Sequence, residues 1–223
     1  RYRRSRHPEP GGPTHNLRLE ILWTGVPCVI VLAIAWVAFP LLYDSDRMPP
    51  PDLTLKVTSH QWYWSYEYPD HDGVAFDSIP IWDASQPSDE QAAAAVKDAS
   101  VHWLIDAPPQ RLLEVDNRVV LPVGKVVRVQ ITGADVLHSW FVPSLGINRM
   151  AVAGRLNEVW VKIDRPGLYY GQCSMICGYG HGYMPIVIEG VEPGRFENWT
   201  KEREAAARSA TRSLAALETA EIR

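Results

Sequence analysis

From Ile21 to Tyr43 the chain runs for 23 residues without one charged side chain. Backbone N–H and C=O groups in such a run must satisfy one another, and a helix does that within itself. At 1.5 Å per residue, a helix of this length crosses a hydrocarbon core of about 30 Å. The flanks fit a membrane span better than a buried core helix. Residues 1–20 carry five arginines against two glutamates, and Asp44 and Asp46 follow the run. The positive-inside rule then puts residues 1–20 on the cytoplasmic or matrix side and everything after residue 44 outside. Pro27 and Pro40 lie towards the ends of the run, where a lost backbone bond costs less. Trp23, Trp36 and Tyr43 suit interfacial or packing roles, and Cys28 packs among apolar neighbours.

The outer portion, residues 44–193, reads as a separate folded domain. It holds 11 basic and 19 acidic side chains, net −8. That field attracts a basic partner and repels nucleic acid. Pro49–Pro51 form a stiff linker. Short runs rich in Val, Ile, Tyr and Trp follow, separated by turn residues. The pattern predicts strands at Leu53–Ser59, Gln61–Tyr68, Leu112–Val115, Val119–Leu121, Lys125–Thr132, Val136–Val142, Leu156–Ile163, Leu168–Gln172 and Pro185–Glu189. Many short strands at this spacing imply a mainly β, antiparallel sandwich or barrel. Residues 83–110 break the pattern with an Ala-rich helical stretch and prolines, and read as a surface insertion. Residues 194–223 read as a solvent-exposed helical tail.

The chemistry is concentrated in Gly171–Met184. Cys173 and Cys177 lie four apart, His181 follows four later and Met184 three after that. Thiolate, imidazole and thioether form the soft donor set that suits copper. A disulfide or redox pair is the alternative for the two cysteines. A further histidine, His138, ends an alternating strand pattern. One His from an early strand with a Cys…His…Met cluster on a late loop is the layout of cupredoxin-type copper sites. Two thiolates on one loop can bridge a pair of copper ions and spread one electron over both.

These residues resemble the cytochrome c oxidase subunit II family. The resemblance rests on Leu19–Thr24, His60–Tyr68, Leu112–Pro122, Asp135–Trp140, Gly154–Asn157, the Cys173–Met184 loop and Phe196–Trp199, in the family's order over about residues 17–200. It implies a cupredoxin-like domain behind one transmembrane helix, with another helix normally preceding Arg1. It implies two copper ions in a dinuclear copper A centre. Cys173 and Cys177 bridge them, His138 and Met184 complete one and His181 the other, and the backbone carbonyl of Met175 is the remaining ligand. Trp62 would receive electrons from cytochrome c, with Glu67, Asp116 and Asp135 as docking acids. Glu20 would mark a proton-channel mouth into subunit I. The partners implied are cytochrome c, subunits I and III and membrane lipid. The location implied is a bacterial inner membrane with a periplasmic copper domain, or else a mitochondrial inner membrane.

The chain departs from the family pattern near the copper loop. Met175 stands where the family usually has the Glu that helps hold magnesium at the subunit I interface. Asn148 and Met150 replace the usual Lys and Asp, and Ala153 the usual Pro. Magnesium wants hard oxygen donors, so its site is expected to be lost or rebuilt. The same residues bear on the competing readings. A quinol oxidase subunit would lack the copper ligands, nitrous oxide reductase would bring a propeller domain, and zinc is disfavoured by the methionine. A membrane-tethered copper chaperone would sit on a βαβ pattern.

Overall fold

The computed structural model describes residues 3–6, 12, 15–81 and 103–221, with side chains as far as residue 209. Contacts divide the chain into two units, Arg1–Arg47 and Met48–Arg223. In the first, helix α1 spans Leu17–Asp46, extending beyond the uncharged run at both ends. A reciprocal cap starts it. The Asn16 side chain accepts from Leu19 N–H at 3.2 Å, and Asn16 N–H donates to Glu20 Oε1 at 3.0 Å. Each such cap is worth about 1 kcal/mol. No residue of α1 is buried, and its 30 residues are long and apolar enough to cross a bilayer.

The second unit is a sandwich of two five-stranded sheets. Its strands are β1 Leu53–His60, β2 Tyr63–Glu67, β3 Ala75–Ser78, β4 Val119–Pro122, β5 Val126–Gly133, β6 His138–Val142, β7 Ile147–Ala151, β8 Asn157–Lys162, β9 Gly167–Cys173 and β10 Pro185–Val191. One sheet runs β3-β2-β1-β5-β8 and the other β4-β10-β9-β6-β7. Alternation places Val57 of β1, Trp64 and Tyr66 of β2 and Val129 and Ile131 of β5 inward, all fully buried. Each aliphatic side chain so buried contributes about 1.5–3 kcal/mol against exposure.

The sandwich departs from the sequence-based expectation in three ways. Two pairings are parallel, β1 with β5 and β4 with β10, so the sheets are mixed rather than purely antiparallel. Strand β10 is buried along its whole length, as a central strand paired on both sides must be. Strands β3 and β7 carry too little apolar alternation to stand out. Leu112–Val115 is not a strand. Leu113 N–H closes a turn onto Gln110, Leu112 sits at φ 64°, and only an isolated bridge joins Val115 to Pro80.

A buried ionic knot explains that turn. Arg118 lies fully buried between Glu114 and Glu189, donating to Glu114 at 2.8 Å through both Nε and Nη2, and to Glu189 at 3.0 Å. Glu189 also accepts from Leu104 N–H and Ile105 N–H, and the Trp103 ring covers the guanidinium at 3.8 Å. The predicted insertion at 83–110 lies mostly outside the described residues, but its end is not a free surface segment. Residues 103–105 are bolted to β4 and β10 through this knot.

The tail also differs from expectation. Helix α2, Pro193–Glu221, begins packed against the sandwich. Phe196 and Trp199 are buried, with Tyr68 edge-on to Trp199 at 5.3 Å. Glu204 pairs with His71 at 3.1 Å, and Arg203 reaches the Asn117 side chain. The apolar pair Phe196 and Trp199, three apart, forms one helical face.

Candidate metal centre

Neighbouring strands build the site. His138 opens β6 and Cys173 closes β9, and the register Trp140↔Cys173 brings these ends side by side. The loop 174–184 then returns to β10. Its neck is closed by Cys173 N–H donating to the Met184 carbonyl at 3.1 Å, and Ser174 N–H ties it to the Ser139 carbonyl of β6. Inside the loop, Gly178 takes φ 114°, a conformation open to glycine and strained for other residues. A single 3₁₀ turn, His181–Tyr183, follows, with His181 N–H bonded to the Gly178 carbonyl.

The donors converge. Cys173 Sγ lies 3.8 Å from Cys177 Sγ and 3.9 Å from His138 Nδ1. Cys177 Sγ lies 3.6 Å from His181 Nδ1, and the Met175 carbonyl faces Cys173 Sγ at 3.2 Å. Met184 is fully buried at the loop's return. The donor atoms of His138, Cys173 and Cys177 all lie within 4.8 Å of one another. Two sulfurs flanked by one imidazole nitrogen on each side form a soft, closely spaced set that fits copper in charge and chemistry.

Charge follows geometry. Burial opposes the Cys173 thiolate, but His138, the Ser139 and Met175 backbones and His181 outweigh it, lowering the thiol to about 6. Burial and then the neighbouring Cys173 charge push Cys177 up to about 12. Near neutrality the pair therefore holds one thiolate and one thiol. Burial disfavours the His138 imidazolium, yet Cys173 and Asp135 together raise its pKa.

The loop is roofed by the turn between β1 and β2. Gln61 Nε2 and Trp62 Nε1 both donate to the Cys177 carbonyl, at 2.9 and 3.1 Å. The indole lies so close over Gly180 that a Cβ there would stand 2.4 Å from the Trp62 ring. Trp62 is half-buried, whereas Trp64 is fully buried and meets His138 edge-on at 6.2 Å.

Comparison with known proteins settles the family. The model of the cytochrome c oxidase subunit II periplasmic domain matches residues 53–191, and that of its transmembrane domain matches residues 1–41. This chain belongs to the cytochrome c oxidase subunit II family. A probable cytochrome c oxidase subunit 2 of Rickettsia felis is 43% identical over 199 residues, covering 89% of this chain and 57% of that relative. The chain thus spans little more than half the length of that relative. The periplasmic domain of subunit II of cytochrome oxidase from Bradyrhizobium japonicum superimposes with a TM-score of 0.59 at 41% identity, covering 72% of this chain and 99% of that domain. A second solved structure is a mixed-disulfide intermediate between a thioredoxin-like protein and subunit II of cytochrome c oxidase. It superimposes with a TM-score of 0.54 at 41% identity, covering 72% of this chain and 96% of that one.

For a subunit II, the acids expected to dock a partner are already engaged locally. Glu67 pairs with Lys56 at 2.9 Å. Asp116 Oδ1 accepts from Ile79 N–H and Asn117 N–H, and burial raises its pKa despite them. Asp135 bonds His138 Nε2 at 2.8 Å. Glu20, expected at a channel mouth, caps α1. Asn148 Oδ1 accepts from the Ser139 and Ser174 hydroxyls at 2.7 and 3.1 Å. Sequence reasoning missed Gln61 and the Arg118 knot. Gln61 sits beside Trp62 but carries no ligand signal of its own.

Proposed function

We propose that this chain is the electron-transfer subunit of a cytochrome c oxidase. It takes single electrons from cytochrome c and passes them to haem in subunit I, where oxygen is reduced to water. The carrying observation is the sulfur pair 3.8 Å apart with an imidazole nitrogen beside each sulfur. Cys173, Cys177, His138, His181, Met184 and the Met175 carbonyl would hold two copper ions. The copper pair, when bound, supplies a one-electron carrier whose charge is spread over two metals. The protein's share is rigidity and dryness. Burial of Cys173, Cys177, His138 and Met184 keeps water out, and the strand ends fix their positions. Trp62 is the surface contact for the donor haem, hydrogen-bonded to the Cys177 carbonyl and so placed directly over the loop.

The net −8 of residues 44–193 favours encounter with a basic donor such as cytochrome c. Glu67, Asp116 and Asp135 belong to that field, though each also has a local partner. Glu20 faces subunit I as a channel-mouth candidate, and subunit III and lipid complete the surroundings. Helix α1 anchors the chain in a membrane. We place it in a bacterial inner membrane with the copper domain in the periplasm. The magnesium site of the family is lost or rebuilt in this chain. At that place Met175 offers a thioether, and Asn148 is already committed to two hydroxyls. Before copper enters, the cysteines must be a dithiol, and a thioredoxin-like reductant, as in the solved mixed disulfide of a relative, is the fitting partner for that step.

The test is copper loading of the full chain in detergent. Two coppers per chain and a purple, mixed-valence spectrum are expected; a colourless protein or a single bound zinc would sink the reading. Copper uptake should also release protons. Cys177, at about 12, carries its proton at neutral pH and loses it on binding, while Cys173, at about 6, is largely ionised already. At least one proton is released, so apparent affinity should rise about tenfold per pH unit between pH 7 and 9. Competition titrations against a chelator across that range check this, and a flat profile would contradict it.

A further inference from the structure

Asp135 carries the further inference. It was expected to be a docking charge, and in the structure both its oxygens are also engaged by neighbouring residues. Oδ1 sits 2.8 Å from His138 Nε2 and accepts Val136 N–H at 2.7 Å, and Oδ2 accepts Gln61 N–H at 2.7 Å. The side chain is 32% exposed while that of His138 is fully buried.

Because a carboxylate only accepts hydrogen bonds, Nε2 must carry the hydrogen. That leaves Nδ1 as the nitrogen turned towards Cys173 Sγ, at 3.9 Å. The same carboxylate holds the residue that, with Trp62, donates to the Cys177 carbonyl. One side chain therefore ties an imidazole of the centre, the electron-receiving turn and, through it, the ligand loop. We infer that Asp135 is a positioning residue for the copper centre: it locks His138 with Nδ1 inward, adds a negative charge next to that ligand, and couples its orientation to the Gln61–Trp62 turn. The inference rests on the copper reading above.

Carboxylates behind metal-bound histidines commonly govern affinity by 10–100-fold. The charge also favours the oxidised centre, so removing it should raise the reduction potential. Two variants of the full chain in detergent separate the charge from the hold on His138. Asp135→Asn keeps an acceptor for His138 but loses the charge and the acceptor for Gln61 N–H. Asp135→Ala loses all three.

Copper affinity, reduction potential and the imidazole N–H resonance of His138 in the metal-free chain are measured together. In Asp135→Ala, affinity should fall about 10–100-fold and the His138 N–H should lose its protection from exchange. In Asp135→Asn, the protection should survive, and the preference for the reduced state should rise about tenfold, or about 59 mV for one electron. Should the alanine variant fail to fold, the potential and N–H of the asparagine variant decide alone. Unchanged affinity, potential and N–H protection, with only slower, less salt-sensitive reaction with cytochrome c, would overturn the inference and return Asp135 to docking. A wild-type chain that takes up no copper overturns the copper reading itself, and that result is seen before any variant is made.

Discussion

Arg118→Leu should destabilise the β-domain by about 3–5 kcal/mol, much of what holds a typical domain together. The guanidinium is the counter-charge for two carboxylates that are themselves fully buried. Removing it leaves two buried carboxylates without their counter-charge. It also frees the Ile105 carbonyl and uncovers the face of Trp103. Urea unfolding of the metal-free chain measures the loss. The double variant Arg118→Leu, Glu114→Leu should recover part of it, because Glu189 still accepts from two backbone N–H groups. A single-variant loss under about 1 kcal/mol would show that the knot does not carry stability.

If the chain holds copper as proposed, Cys177→Ser should reduce copper content from two ions to at most one and abolish the mixed-valence spectrum. The serine hydroxyl is a hard donor that keeps its proton near neutrality, so it cannot replace the second bridging sulfur. The fold should survive. Cys177 lies on a loop outside the strands, and Gln61 and Trp62 grip its backbone carbonyl rather than its side chain. Metal analysis beside a circular dichroism spectrum therefore isolates the sulfur. Two coppers and an intact purple band in this variant would show that the sulfur pair does not bridge.

The ligands were legible because soft donors at loop spacing are rare and their chemistry is explicit in the letters. His138 was harder. Only the alternating strand pattern and the resemblance set it apart, and the register of β6 with β9 supplies the reason it sits beside Cys173. The parallel pairings β1·β5 and β4·β10 were not legible. Alternation shows which residues face inward but not which strand lies beside which. The Arg118 knot was hidden for a related reason. Nothing in the residue types of Glu114 and Arg118 marks them as buried, and Glu189, which completes the knot, lies 71 residues from Arg118. The role of Asp135 is not legible because residue type does not tell which partners a side chain meets. Helix α2 concealed its packed start within an Ala-rich, charged composition, although Phe196 and Trp199 marked the buried face.

The two residues that flank positions 82–102, Ile81 and Trp103, are anchored side by side on the domain. Ile81 N–H donates to the Glu114 carbonyl, and the Trp103 indole donates to the neighbouring Val115 carbonyl, both at 3.0 Å. Both flanks thus end on adjacent residues, and Ile81 packs with Trp103 and Leu112 into a small cluster of its own. Closing a loop between fixed ends costs entropy that grows only logarithmically, about 0.6 kcal/mol for each doubling of length. Ile81 and Trp103 therefore form a fixed neck, across which added length costs little.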